Sequence, residues 1–591
     1  MKLAAAVAVC VASALVAPSF ASAAANCGGQ TTSTLAVYGL TPASIAKHGG
    51  STAGMVNTTI RGVCDAGGST ALAAGTALKQ NGYASTDTAN ALRDAFGQTA
   101  LGAAGILKQV GYSPVEVATA LVGSFATTPR DAAVILKTIG YAATDTAGAI
   151  ATVFSVGGEV VADAEHFAGY AINDVTTALH VALGLEGNAI AAALKFATFE
   201  INAIATSLNV VLGLTGDAIA GALKFAGYVV EDVTRALNTA LSLANDAIAH
   251  ALAFAGYEIN AITGALHTVL GLEGAAIAAA LKFAGFVVNE ITGALHTVLN
   301  LEANAIAAAL NFAAFAYTEI AGALHTVLNA TERVIAGALD AVGAGINDIA
   351  HALQAAIAAL PGPIADALAF VGFGAQAIAV TLNAILALDK DVIAAALKFA
   401  NFSIDVITGA LKGGLLLAEG AVAAALKAAN FAVDVIAHSI SAVYSLTEAA
   451  VATALKVANF TVDQIANGLK FGLGLAESAV AGAMKAAGFV ATEVAAGLAA
   501  AYGFVAEDVA AALKAAGFAI NEVAGVLKTI FGVAADAAAE ILHDIGYAID
   551  DIVGALESAF NMAEDAVKNL FNDIGGAFAD FVTNLWCTFF C

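Results

Sequence analysis

Residues 108–116 read Lys108-Gln109-Val110-Gly111-Tyr112-Ser113-Pro114-Val115-Glu116, and the reading of this stretch decides the fold. Lys108 is a cation placed where the last turn of a helix presents its negative dipole end. Gly111 tolerates the left-handed conformation that ends a helix. Ser113, Pro114 and Glu116 then supply an N-cap, a proline at the first helical position and a capping-box acid, so a second helix starts at once. The stretch is a helix-turn-helix corner.

The same corner recurs. A glycine followed by an aromatic stands at Gly82-Tyr83, Gly111-Tyr112, Gly140-Tyr141, Gly169-Tyr170, Gly227-Tyr228, Gly256-Tyr257 and Gly285-Phe286, always 29 residues or a multiple apart. The same step leads on through Gly343, Gly372, Asn401, Asn430, Asn459, Gly488, Gly517 and Gly546 to Gly575, with Thr198 and Ala314 filling the two remaining places. Seventeen steps of 29 therefore pass without an insertion. A fixed period of this length is the mark of a repeat architecture. Eleven of these anchors carry Lys three residues earlier. Thr128, Thr215, Thr331 and Thr447 stand twelve residues before an anchor as N-caps, and Pro129 and Pro361 follow at the first helical position. Helix A is expected to fill the eleven residues up to the anchor. Helix B starts three residues after it, with acids echoing Glu116 at Asp145, Asp232, Glu290, Glu493, Glu522 and Asp551. It ends fifteen residues past the anchor, at Gly97, Gly184, Gly213, Gly271, Gly474, Gly503 or Gly532. The period leaves no residues for a strand.

Within a unit the apolar marks are Ile219, Leu223, Tyr228, Val233, Leu237 and Leu241, spaced as a buried helical face requires. Helices this short cannot bury such a face alone, so neighbouring units must stack. The expected fold is all-α, an α-solenoid of about seventeen 29-residue helix-turn-helix repeats. The array is expected over residues 65–575, with a cap at 26–64 before it and another at 576–591 after it. Pro361-Gly362-Pro363 keeps the register and marks no domain boundary.

Composition bounds the function. The 591 residues are 60% hydrophobic and 12% charged, which excludes disorder. The net charge of −24 offers no basic footprint, so nucleic acid is not an expected partner. Beyond residue 25, polar residues interrupt every window before the ~20 apolar residues that a spanning helix needs. Residues 1–25 read as an export signal peptide, with Lys2 as the charged start, Leu3 to Ala17 as the apolar segment and Ala21-Ser22-Ala23 or Ala23-Ala24-Ala25 as the cleavage site. A secreted, extracellular or cell-surface protein is expected. Cys10 leaves with the signal. Cys27, Cys64, Cys587 and Cys591 remain at the two ends as disulfide candidates, Cys27 with Cys64 and Cys587 with Cys591.

The consensus, illustrated by Gly517-Phe518-Ala519-Ile520-Asn521-Glu522-Val523-Ala524, resembles uncharacterised alanine-rich repeats of large secreted bacterial proteins. The resemblance covers almost the whole mature chain. It implies export and solenoid form and brings no activity, cofactor or site residue with it. The 29-residue unit departs from the 34 of the tetratricopeptide pattern and lacks that pattern's Trp.

Nucleophile elbows, HExxH, EF-hand loops and P-loops are not found, so no catalytic, cofactor or metal residue is assigned and the chain is read as not an enzyme. The most suggestive feature is a polar stripe eleven residues past the anchor: His180, Asn209, Asn238, His267, His296, His325, Gln354, Asn383, Lys412, Ser441, Lys470 and Lys528. A histidine ladder could bind metal or anions or sense pH. Histidines on successive hairpins ~10 Å apart are too far from one another to share a zinc ion, which favours an exposed solubilising strip. Turn aromatics such as Tyr83, Tyr112, Tyr141, Phe199, Phe286, Phe402, Phe431 and Phe460 are read as core rather than as a ligand platform. The Asn-x-Ser/Thr triplets at Asn57, Asn329, Asn401 and Asn459 are glycosylation acceptors in form, and Asn401 and Asn459 are also read as left-handed helix ends.

Runs such as Ile277-Ala278-Ala279-Ala280 and Val422-Ala423-Ala424-Ala425 leave a smooth, weakly polar outside, and large apolar patches usually meet something. The leading expectation is a structural, adhesive or self-assembling scaffold whose partner is another copy or a cell-surface or extracellular protein. The alternative is a solenoid that holds lipid, an interface or a hydrophobic ligand. An enzyme is the third class. The largest irregularities in the pattern are Glu165-His166, where other units carry Leu and often Lys, and the caps.

Overall fold

The computed structural model describes residues 71–563 other than 81, together with 566, 567 and 570. The signal segment, both caps, all five cysteines, Asn57 and Gly575 lie outside the described residues. Among the described residues there is no strand. Thirty-four α-helices follow one another from Ala71–Gln80 to Ile549–Phe560, and one of them, Val462–Asn467, continues as a short π-helical turn at Gly468–Gly472. The fold is an all-α solenoid of repeated helical hairpins.

The reason lies in the dihedral angles. Every described residue with positive φ belongs to one of two series, each with a step of 29. The first is the anchor series, from Gly82 to Gly546, and includes the non-glycines Thr198 and Ala314. The second is the series fifteen residues later, from Gly97 to Asn561. Helix A therefore always ends on the first and helix B on the second. Helix A is usually ten residues, as in Pro129–Thr138 and Gly216–Phe225, one fewer than the expected eleven. The residue before the anchor, such as Ile139, leaves helical geometry to close the turn. Helix B is twelve residues in Pro114–Phe125 and ten in Val230–Thr239.

The caps follow the sequence signals. Ser113 Oγ accepts from the Glu116 amide at 3.3 Å while Glu116 accepts from the Ser113 amide at 2.7 Å. Thr128, Thr215 and Thr447 accept from amides in the first turn, whereas Thr331 makes no side-chain cap. Glu493 and Glu522 accept from Val490 and Ala519 amides at 3.0 and 2.8 Å. These acids complement the positive end of the helix dipole and hold the chain at its entry angle.

The chain divides into two compact units, one running to Val287 and taking in Thr297–Leu299, the other formed by Val288–His296 and the chain from Asn300 on. The 29-residue register continues through both. In the first unit helix A at Gly187–Phe196 packs on helix A at Gly216–Phe225, and helix B at Ile172–Val181 on helix B at Ile201–Leu212. In the second, Lys390–Phe399 packs on Glu419–Ala428 and Ile404–Leu415 on Val433–Tyr444 in the same way. The core is a repeated set of apolar residues. Ile219, Ala220, Ala222 and Leu223 of helix A and Val233, Ala236 and Leu237 of helix B are fully buried. The alanines let backbones approach closely, and the branched residues fill the space between them. Buried hydroxyls also link repeats within the B layer, Thr176 with Ser207 and Thr408 with Ser439, each at 2.7 Å.

Candidate interaction surface

The A-to-B turn ties each repeat to the next. At Gly111 the anchor amide donates to the Lys108 carbonyl at 3.0 Å and the Tyr112 amide to the Leu107 carbonyl at 3.0 Å, a Schellman closure. The lysine three residues before the anchor does more than complement its own helix dipole. Its Nζ reaches the carbonyls that end helix A of the following repeat. Lys108 donates to Ile139 at 2.8 Å, Lys195 to Ala226 and Gly227 at 2.8 Å each, and Lys398 to Ala429 and Asn430 at 2.8 Å each. The same ammonium lies over the turn aromatic of that following repeat, with Lys108 4.3 Å from the Tyr141 centroid and Lys398 4.3 Å from that of Phe431. The aromatic in turn reaches backwards. Tyr112 donates to the Tyr83 carbonyl at 2.7 Å, Tyr170 to Tyr141 at 2.9 Å and Tyr257 to Tyr228 at 2.9 Å. Burial pushes the Tyr170 and Tyr257 hydroxyls up to about 12, so both stay protonated donors at neutral pH. The turn aromatics are thus half-buried or buried cross-repeat ties, in line with their reading as core. Asn401 and Asn459 sit in the left-handed conformation, and so does Asn329 at the end of a helix B.

The polar stripe eleven residues past the anchor has a local task. His180, His267, His296 and His325 each place Nδ1 against the carbonyl five residues on, Leu185 at 3.0 Å, Leu272 at 2.9 Å, Leu301 at 3.0 Å and Ala330 at 3.3 Å. A carbonyl can only accept, so Nδ1 carries the proton in each ring. Asn209 and Asn383 make the same bond through their amide nitrogens at 2.9 and 3.0 Å. Lys412, Lys470 and Lys528 instead reach the following repeat, at Val443, Ala501 and Ala559 carbonyls, 2.7, 2.8 and 2.9 Å away. The stripe closes the carbonyl end of helix B. No group of three metal-binding side chains occurs among the described residues, and no described helix is long and apolar enough to cross a membrane.

Glu165 and His166 break the pattern in different ways. His166 takes over the role of lysine, since its Nδ1 contacts the Ala197 carbonyl and its ring packs 4.0 Å from the Phe199 ring. Glu165 replaces a core leucine. It is 0% exposed, and neither carboxyl oxygen has a hydrogen-bond partner. Burial, reinforced by Asp174, pushes its carboxyl up to about 9, which keeps it neutral at physiological pH.

One surface feature was not singled out from the sequence. The residue two before the anchor, outside the buried set on helix A, is an exposed phenylalanine at Phe167, Phe196, Phe225, Phe254 and Phe283 in the first unit, and at Phe312, Phe370 and Phe399 in the second. The interval of 29 was visible, but an apolar residue at a fixed place reads most readily as core. Only the helical angle, pointing away from Ile219 and Leu223, separates it from the buried face. A scan against protein-family models and a search of curated proteins give no match to this chain.

Proposed function

We propose that this chain is an exported, non-enzymatic repeat scaffold that works through its extended surface, as a structural, adhesive or self-assembling element outside the cell. The observation that carries the reading is the commitment of its polar side chains to the array. Many of the lysines, turn tyrosines, stripe histidines and first-turn acids are spent on closing helix ends and tying repeats, at equivalent places in successive units. Catalysis needs unlike groups converging at one place. What the repeats present outwards is instead an apolar surface of phenylalanine, valine and alanine. The export signal read at residues 1–25 places such a surface where it can meet other copies, a cell-surface protein or an apolar ligand.

The test removes residues 402–430, one internal 29-residue unit. A scaffold loses binding or association in proportion to the length removed. The reading fails if a measured turnover disappears on changing Glu165 and His166 while the helices stay intact.

A further inference from the structure

We infer that the Gly372 and Asn401 turns of the second unit form a paired binding site for lysine side chains, and that its occupant is an extended lysine-bearing segment of another protein. The inference rests on the scaffold reading and gives it a place and a partner chemistry. Neighbouring repeats show what such a turn binds. At Asn430 the Lys398 ammonium donates to the Ala429 and Asn430 carbonyls at 2.8 Å each and lies 4.3 Å from the Phe431 centroid. At Asn459 the Lys427 ammonium does the same, at 3.3, 2.7 and 4.5 Å. The Asn401 turn has the same geometry. Its φ is 65 against 59 and 57, and its closing bonds are 2.9 Å from the Asn401 amide to Lys398 and 3.2 Å from the Phe402 amide to Leu397. Yet the helix position that would send it an ammonium holds Ala369. Gly372, closed at 3.0 and 3.1 Å, faces an exposed Asp340 from that position. Alanine stops at Cβ and a carboxylate cannot donate, so neither does the work of lysine. Among the described residues no hydrogen bond ends on the carbonyls of Val371, Gly372, Ala400 or Asn401. With half-buried Phe373 and Phe402 next in the chain, each turn keeps the acceptors and the ring of an ammonium cradle whose lysine this chain does not supply.

Pitch and charge select the occupant. Ala253 makes the same change at Gly285, but singly, between repeats that carry Lys224 and Lys282. At Gly372 and Asn401 two successive repeats make it, so the two cradles stand about one helix spacing apart, ~10 Å. A polyproline-type segment has three residues per turn and a rise of ~3.1 Å, which puts lysines three residues apart on one edge and ~9 Å from each other. Such a segment engages both cradles at once. A second copy of this chain cannot present it, because its nearest two lysines, Lys390 and Lys398, are eight residues apart. The net charge of −24 attracts a cationic segment, and Asp340 places an acid beside the Gly372 cradle. A zwitterionic lipid headgroup would instead set its phosphate against that acid.

The experiment titrates the full mature chain with the capped peptide acetyl-Lys-Pro-Pro-Lys-amide by calorimetry at low ionic strength. The isomer acetyl-Lys-Lys-Pro-Pro-amide carries the same charge without the pitch. A variant with Asp340→Lys and Ala369→Lys gives both turns the array's own tie. A control with Glu507→Lys and Ala511→Lys makes the same change of charge at exposed positions of another helix A. The expected result is that the wild type and the control bind the first peptide roughly tenfold or more tightly than its isomer. The Asp340 and Ala369 variant, with unchanged helical circular dichroism, should lose that preference. No binding by the wild type up to about 10 mM overturns the inference, as does equal affinity for the two isomers or equal loss in the control. Flotation of the wild type with phosphatidylethanolamine vesicles, abolished by the same two lysines, assigns the turns to a lipid headgroup and also overturns it. Each of these failures leaves the scaffold reading standing, since that reading falls only to a demonstrated turnover at a discrete site.

Discussion

The two turns of the repeat solve the same problem in different ways. Both end a helix on a left-handed residue, yet the A-to-B turn uses glycine or asparagine at all but two described places, while the B-to-A turn also accepts Ala126, Ser155, Ala358 and Leu416. The first is closed largely from the neighbouring repeat, by a lysine 31 or 32 residues away and by tyrosines 29 residues apart. The second is often closed from within, by a side chain five residues earlier. The difference separates coupling from local folding. The A-to-B turn transmits register along the array, and the B-to-A turn mostly finishes its own helix.

The largest expected effect comes from removing the buried carboxyl from the helix that leads into one A-to-B turn. Glu165 is neutral in the folded chain up to about pH 9 but ionises near 4.5 when exposed. Its folded value is raised, so the stability it contributes is fully present below 4.5 and declines as pH rises towards 9, where the loss levels off. At pH 7 the loss is roughly 3 kcal/mol. Glu165→Leu, which installs the residue of the other units, is expected to raise the thermal midpoint at pH 7 and flatten its fall between pH 5 and 9. An unchanged pH profile would show that the carboxyl finds water or a partner in solution.

Next come the left-handed residues themselves, where the two turns are expected to respond with opposite signs. Gly140→Val forces a β-branched side chain to φ 86 and should cost roughly 2 kcal/mol. Leu416, at φ 54 and 84% exposed, already bears that strain, and Leu416→Gly should stabilise by roughly 0.5 kcal/mol. Urea denaturation of the two variants checks both signs.

The smaller effects compare coupling with local closure. Lys427 donates to Ala458 and Asn459 at 3.3 and 2.7 Å and lies 4.5 Å from the Phe460 centroid. Lys427→Met should cost about 1 kcal/mol and speed amide exchange at Asn459 and Phe460, in the repeat after the substitution. His267→Leu should cost ~0.5 kcal/mol and speed exchange only within its own repeat, near Gly271 and Leu272. Exchange confined to its own repeat in both variants would erase the distinction between the turns.

Much of this fold is legible in the chain. Gly111, Ser113, Pro114 and Glu116 act locally, and a helix end or cap is a local event, so spacing alone reveals it. What lies between repeats is less legible. Lys108 reads correctly as a last-turn cation, but its partner, the Ile139 carbonyl, belongs to the next unit, and only packing brings them together. His267 reads as exposed and is, but its bond to Leu272 depends on the curl of the turn after Gly271. Leu416 carries no signal of its left-handed geometry beyond the register. Phe225 is less legible still, since periodic phenylalanine looks like core until its direction on the helix is counted.

The central claim is that the 29-residue register, set by the anchor and carried across repeats by the A-to-B turn, is the unit of structure. Paired deletions in the second unit test it most directly. Removing residues 402–430 takes out a whole period and leaves Asn401 followed by Phe431, the same turn chemistry, whereas removing 402–416 takes out only a helix B and its end. The account predicts that the first variant keeps its circular dichroism per residue at 222 nm and its cooperative melt, while the second loses both around the cut. Equal tolerance of the two deletions, or collapse of the first, would contradict it.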